Sequence, residues 1–433
     1  MSLDKFFEVY KIESYAYDET PKAIAPKARE FVVVKPRNAE EVSKILKFAN
    51  EKRIPVFIRG GGTGLSGGAI PSMEGILIST ERMKDLEIDV RNKLAVCGAG
   101  VTLEELTKAA EKHGLSFPPK PGAENATIGG MIATNAGGVR ATKFGVMRNY
   151  VLGIEAVLPD GSIVRFGGKT LKNSSGYSLL HLLIGSEGTL AVITKAIIRL
   201  LPPMRDESVL AIPFRNSEDA IECCIEISKI CIPLALEFME KKAVEIGEKV
   251  SGKRWVSREG EAHVLAIFER GEEAEKSAEI AYSFNAIDVF LASPREKRDL
   301  LEIRGKIYLG LKDKIIEILD VCIPQAEISS YLRRSKEIAE KYGIEMITYG
   351  HIGDGNLHQH PLIFDGWERV YWKFREEILR IAIEMGGTIS GEHGIGEIKK
   401  EEFRKFFPEN YLLMKKIKEI FDPNGILSPG KIF

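Results

Sequence analysis

Arg59-Gly-Gly-Gly-Thr-Gly-Leu-Ser-Gly-Gly68 decides how this chain is read. Six of the ten residues are glycine, so the backbone can turn tightly and a ligand can come close to its amides. Successive free N–H groups in such a turn form a concavity suited to phosphate or pyrophosphate. Upstream, Ile54-Pro-Val-Phe-Ile58 reads as a short buried strand, and downstream Gly75-Ile-Leu-Ile-Ser79 reads as another. A dinucleotide fingerprint or a P-loop needs a helix opening directly after its glycines. Ala69-Ile-Pro-Ser72 has no helical period and no Gly-Lys-Ser/Thr follows. The stretch therefore reads as a strand–loop–strand nucleotide cradle. A flexible linker would not be bounded by apolar strands.

Composition narrows the classes. A chain of 433 residues has room for about three domain-sized units. A net charge of −1 supplies no global field for nucleic acid or anionic lipid. No uninterrupted apolar run is long enough to span a membrane. Met1-Ser-Leu-Asp-Lys-Phe-Phe-Glu8 lacks the basic-then-apolar order of a secretory leader. Five cysteines (Cys97, Cys223, Cys224, Cys231, Cys322) form no CxxC pair. They point to reduced thiols in a cytoplasmic protein, with no iron–sulfur cluster in this chain.

Working outward, Phe31–Val34 reads as a strand, and Pro36–Asn50 as an amphipathic helix with Val42, Ile45, Leu46 and Ala49 on one face. This order puts the cradle at the carboxyl end of a strand, where ligands commonly bind in α/β sheets. Leu86–Val90 and Lys93–Gly98 follow as strands, and Thr102-Leu-Glu-Glu105 is a capping box opening a helix to His113. A second glycine-rich stretch, Pro118–Gly138, carries Gly129, Gly130, Ala133, Ala136, Gly137 and Gly138. Residues this small cannot fill a core, but they let backbone pack edge-on against a flat ligand. Two cradles suit one long ligand touched at several points, as a dinucleotide would be. Val151–Leu158 and Ser162–Phe166 flank a Pro159-Asp-Gly161 turn as a hairpin. Gly185–Thr194 is a tight turn leading into a strand.

Leu201-Pro-Pro203 marks a boundary. Beyond it, strands at Val209–Phe214, Leu234–Met239, Ala262–Phe268 and Ile287–Ala292 alternate with helices at Glu218–Ile230 and Glu272–Phe284. That order predicts an α+β unit whose apolar sheet is covered on one face. The expected division is 1–203, 204–400 and a returning segment 401–433.

Four of the seven histidines fall in two short stretches, Gly350-His-Ile-Gly-Asp-Gly-Asn-Leu-His-Gln-His-Pro361 and Ser390-Gly-Glu-His-Gly-Ile-Gly396. Imidazoles gathered with a carboxylate are what a zinc, manganese or ferrous ion requires. His351 and His358 flank a Gly-Asp-Gly-Asn turn and meet if the backbone folds back. His360 shares a strand face with His358 if that segment is extended.

Together, Arg59–Gly68, Pro121-Gly-Ala with Ala126–Gly130, Thr134–Gly138, Gly185–Thr194 and Asp422–Lys431 resemble the flavin-binding domain of the vanillyl-alcohol-oxidase superfamily. Within it, nearly the whole chain resembles the D-2-hydroxyacid dehydrogenases of the D-lactate dehydrogenase and glycolate oxidase type. The resemblance implies an α+β fold: a two-part FAD-binding domain (PCMH type) under a ferredoxin-like cap. It implies FAD with its pyrophosphate on Gly60, Gly61, Gly62, Thr63 and Gly64, and with Arg59 and Leu65 among its contacts. It also implies contacts from Pro121, Gly122, Ala123, Thr127, Gly129, Gly130, Ala133, Asn135, Gly137, Gly138, Glu187, Gly188, Ile193 and Lys431. No His or Cys lies within 59–71 or 118–138, so the FAD is expected to be noncovalent. The same resemblance makes His351, His358 and Glu392 ligands of a divalent metal; the adjacent His393 then reads as the general base, since an imidazole titrating near ~6.5 suits that role. Arg304 becomes the fork for the substrate carboxylate, with His360 and His393 also at the substrate.

Two departures bear on the substrate. Where D-2-hydroxyglutarate dehydrogenases carry a lysine before an Asp-x-x-x-Pro segment, this chain has Ile318, and His360 replaces their asparagine. Both favour a monocarboxylate such as D-lactate or glycolate. With no nicotinamide fingerprint, electrons are expected to pass to a quinone, an electron-transfer flavoprotein, a cytochrome or an iron–sulfur subunit. A homodimer and peripheral attachment at the inner membrane face are compatible with this reading. Its rivals are a flavin subunit of a multi-subunit glycolate oxidase and an alkyldihydroxyacetonephosphate-synthase-like transferase.

Overall fold

The computed structural model describes residues 8–203 and 208–433. Met1–Phe7 and the first residues of the expected cap, 204–207, lie outside the described residues. Three sheets carry the fold. Strands β1 (Phe31–Val34), β2 (Val56–Arg59) and β3 (Gly75–Ser79) form a small parallel sheet with β3 central. Strands β4 (Leu86–Asp89), β5 (Leu94–Gly98), β6 (Val151–Val157), β7 (Ile163–Gly167) and β8 (Val192–Arg199) form an antiparallel sheet in the order β4-β5-β8-β6-β7. The third sheet is the largest. It joins β9 (Ser208–Phe214), β10 (Ala235–Glu240), β11 (Ala262–Phe268), β12 (Phe290–Leu291), β13 (Leu319–Cys322), β14 (Met346–His351) and β15 (Asn356–Pro361) in the order β12-β9-β11-β10-β14-β15-β13. The α+β class expected from the sequence is the one observed.

Local chemistry explains the element ends. The first helix begins at Ala39, later than its apolar period alone implies, because extended Asn38 caps it by accepting the Glu41 amide. The Thr102 capping box forms as read. The expected strand at Ile287–Ala292 shrinks to Phe290–Leu291, an edge pair with β9. The chain end returns to the first sheet: the Val56 amide donates to Ile426 O and the Ser428 amide to Val56 O, both at 2.7 Å.

The large sheet corrects one expectation: it is covered on both faces. Leu236, Phe238, Val264 and Ala266 pack with Ile221, Ile227 and Tyr331 on one side. Their alternates Ala235, Met239, Leu265 and Ile267 pack with Val244, Ile303 and Ile307 on the other. The strands read as unbroken apolar runs, without the apolar–polar alternation of a half-exposed sheet, and that pattern belongs to a doubly covered one. The second face also takes in Leu65, Val139 and Phe144 from the glycine-rich segments, which brings the cradles against the sheet. No helix among the described residues is long and apolar enough to cross a membrane.

One buried histidine on β11 ties this core to pH. His263 is 2% exposed, its ring lies 5.9 Å from Trp255, and its Nδ1 has no hydrogen-bond partner. Burial pushes it down to about 4, against about 6.5 in the unfolded chain. The unfolded state therefore takes up this proton first. The stability involved is present above pH ~6.5 and is lost as pH falls towards about 4, on the order of 3 kcal/mol. Urea midpoints of wild type and His263→Leu at neutral pH and at pH ~4 test this. The variant should lose less on acidification, and equal losses would exclude His263 as the cause.

Candidate active site

The strand order of the large sheet lines up four polar side chains that are far apart in sequence. Glu237 on β10 pairs with His351 on β14, and His358 on β15 pairs with Asp320 on β13. Strands β14 and β15 form a hairpin that sets Tyr349 opposite His358, so the His351 and His358 rings meet diagonally at 5.2 Å. The hairpin closes through Gly355, at φ +82°, where a Cβ would come within 2.1 Å of Ile323 O. The expected meeting of His351 and His358 across their turn is what the structure contains.

Glu392 and His393 reach the same spot on a loop laid along β13. Thr388 and Cys322 exchange backbone hydrogen bonds, and the Gly391 amide donates to Asp320 O at 3.1 Å. The Asp320 carboxylate then accepts the amides of Glu392 at 3.0 Å and His393 at 2.9 Å, while Asn356 Nδ2 donates to it at 2.8 Å. As a result Glu392 Oε1 lies 3.6 Å from His351 Nε2, 3.4 Å from His358 Nε2 and 3.7 Å from His393 Nε2. Behind each imidazole stands a carboxylate. Glu237 Oε1 is 2.6 Å from His351 Nδ1, and Asp320 is 3.5 Å from His358 Nδ1 and 3.4 Å from His393 Nδ1.

These spacings fit a divalent cation. Ligand atoms ~2.1 Å from a tetrahedral ion stand about 3.4 Å apart, and a carboxylate behind each ligating imidazole is the usual outer support. Two overlapping sets qualify: His351, His358 and Glu392, and Asp320, His358 and His393. The Nδ1 atoms of His358 and His393 are also buried without a hydrogen-bond partner.

The charges are strongly coupled. Burial alone would raise Asp320 and Glu392, but the surrounding histidines, with Lys399 beside Asp320, hold both well below the usual carboxylate range. Burial alone would lower His351, yet Glu237 and Glu392 hold it well above its ordinary value. A bound cation would displace such protons. His393 differs: burial outweighs Asp320 and Glu392 and pushes it down to about 4, which leaves the imidazole neutral.

Two residues expected at the substrate have partners within the chain. The Arg304 fork is engaged, with Nε and Nη2 on Glu237 Oε2 at 2.7 and 2.6 Å. A carboxylate as buried as Glu237 requires such a cation, and Nη1 is what remains for another partner. His360 belongs to neither ligand set. It is fully buried, holds Ile347 O through Nδ1 at 3.1 Å and stacks on Tyr349 at 4.6 Å.

The glycine cradles adjoin this centre. A Cβ on Gly60 would fall 2.2 Å from Thr127 Oγ1, and one on Gly61 would fall 2.5 Å from Asn125 O. Glycine is therefore what lets the first cradle pack against the Thr127 side chain at Gly60 and against backbone at Gly61. Gly137 stands against Glu392, where a Cβ would be 3.2 Å from Oε2. Ser66 Oγ donates to His393 O at 3.0 Å. Arg59 holds Tyr17 O at 2.6 Å, Lys431 pairs with Glu397, and Glu187 accepts the Ile395 and Gly396 amides at 2.8 and 2.7 Å. Glu187 thereby clasps the loop that carries Glu392 and His393. A cavity of about 480 Å³ reaches Glu392 between this clasp and the C-terminal helices.

Asp320, Glu237 and Tyr349 were not among the residues singled out by sequence. A charged residue inside an apolar strand, as in Leu319-Asp-Val-Cys322 or Leu236-Glu-Phe238, is a signal that could have found the first two.

Known proteins agree with this architecture. Residues 31–167 match the model of the FAD binding domain, and residues 203–432 match that of the C-terminal domain of FAD linked oxidases. The chain is 64% identical to a D-lactate dehydrogenase of Archaeoglobus fulgidus, over 99% of this chain and 98% of that one. It is 38% identical to the glycolate oxidase subunit GlcD of Bacillus subtilis, over 97% and 92%. The solved 4-ethylphenol oxidase from Gulosibacter chungangensis superposes with a TM-score of 0.76 over 98% of this chain and 94% of that one, a likeness of fold alone at 18% identity. The chain belongs to the FAD-linked oxidases of the vanillyl-alcohol-oxidase superfamily, as its glycine-rich motifs implied.

Proposed function

We propose that this chain oxidises a small D-2-hydroxy monocarboxylate, D-lactate or glycolate, to the 2-oxo acid, with noncovalent FAD and a divalent metal. The observation that carries this reading is the convergence of three imidazole Nε2 atoms on Glu392, directly beside the second glycine cradle. Bound FAD would supply the hydride acceptor for the Cα hydrogen, and a bound metal would supply Lewis acidity at the hydroxyl. His351, His358 and Glu392 would hold the metal, a zinc, manganese or iron ion. His393 accepts the hydroxyl proton at Nε2, and Asp320 behind Nδ1 stabilises the imidazolium that forms. Ile318 is buried in apolar surroundings, which supports a substrate with a single carboxylate. Five free cysteines support a cytoplasmic location. Similarity to a glycolate oxidase subunit keeps a partner-dependent arrangement as the second reading.

Purified protein should be mixed anaerobically with D-lactate, L-lactate, glycolate and D-2-hydroxyglutarate in turn while the flavin absorbance is followed. D-lactate or glycolate is expected to bleach the flavin and L-lactate to leave it oxidised. Chelation should abolish bleaching and added metal restore it. Bleaching that ignores both handedness and chelator would overturn the reading.

A further inference from the structure

Resting on that reading, we infer that Tyr349 is a substrate-positioning residue whose hydroxyl donates a hydrogen bond to the carboxylate of the bound 2-hydroxy acid. It precedes His351 by two residues on β14, so the two side chains share a face of the sheet. Its ring is held on three sides. His360 stacks against it at 4.6 Å and 10°, His358 meets it edge-on at 5.9 Å, and the Arg304 guanidinium lies 4.7 Å from its centroid. Only 4% of the residue is exposed, and its hydroxyl, which makes no hydrogen bond to the described residues, is not one of the polar atoms closed off from solvent.

A buried phenol ordinarily finds a partner. Here the ring is locked beside the ligand set while the hydroxyl stays open to solvent, which leaves it available as a donor to a ligand. The need for such a donor is visible in Arg304, whose Nε and Nη2 are committed to Glu237. A carboxylate arriving here meets Nη1 and requires a second donor, and Tyr349 is the neighbour that can supply one. His360 then serves to position the phenol, since it backs the ring and is itself fixed by Ile347 O.

Tyr349→Phe removes the hydroxyl and keeps the ring. A hydrogen bond to a charged group is worth about 10- to 100-fold in affinity. The Michaelis constant for D-lactate should rise by that factor, with turnover, FAD and metal content near wild type. Oxalate serves as the binding probe, titrated into the oxidised enzyme and read through the flavin spectrum. Its affinity should fall by the same factor in Tyr349→Phe and hold in His360→Phe, which preserves the stack. Unchanged oxalate affinity in Tyr349→Phe overturns the inference, as does loss of metal or FAD from that variant. If no hydroxy acid bleaches the wild type but oxalate binding still depends on the hydroxyl, the oxidation reading fails while the Tyr349 assignment stands.

Discussion

Replacing Asp320 with asparagine is expected to weaken the proposed metal centre and to destabilise the fold, although the change is nearly isosteric. The carboxylate is fully buried and serves two structures at once. It accepts the amides of Glu392 and His393, which fixes the loop. It also stands behind the Nδ1 atoms of His358 and His393, and 3.7 Å from Lys399 Nζ, itself 2% exposed. An asparagine amide must turn an NH2 towards one of these donors and leaves the lysine without its counter-charge. Removing one partner of a buried ion pair costs about 3–5 kcal/mol. Losing the carboxylate behind a ligating imidazole costs about 10- to 100-fold in metal affinity. Elemental analysis after dialysis and the urea midpoint read the two effects separately. A variant with a full complement of metal and a wild-type midpoint would remove Asp320 from the centre.

Why this residue escaped the sequence while its neighbours did not is a matter of contact range. His351 and His358 belong to one hairpin, and the turn glycines between them announce that the chain folds back. The cradles are legible for a similar local reason: glycine is the residue that tolerates a side-chain oxygen as close as the one at Gly60 and another backbone as close as the one at Gly61. Asp320 and Glu237 join through strand order, β10-β14-β15-β13, which is decided by tertiary packing across more than one helical connection. Arg304 shows the limit from the other side. Its helix is readable, but that its fork is engaged by Glu237 depends on a strand 67 residues away in sequence.

His393→Ala is expected to keep FAD and metal while losing turnover by about 10²- to 10⁴-fold, the usual worth of a positioned general base. His393 Nε2 faces the same Glu392 oxygen as the other two imidazoles, but from the longest distance, 3.7 Å, and its ring lies stacked on His358 at 5.2 Å and 20°. Burial holds it neutral, pushed down to about 4, whereas His351 is drawn upward by Glu237 and Glu392 and His358 by Asp320 and Glu392. With the Asp320 carboxylate 3.4 Å behind Nδ1, the imidazolium formed by proton removal at Nε2 would be stabilised. The rival arrangement makes His393 a ligand together with Asp320 and His358. Metal content separates the two. Turnover lost with metal retained, and partly restored by added imidazole, identifies a base. Turnover and metal lost together make His393 a ligand, and turnover near wild type excludes both roles.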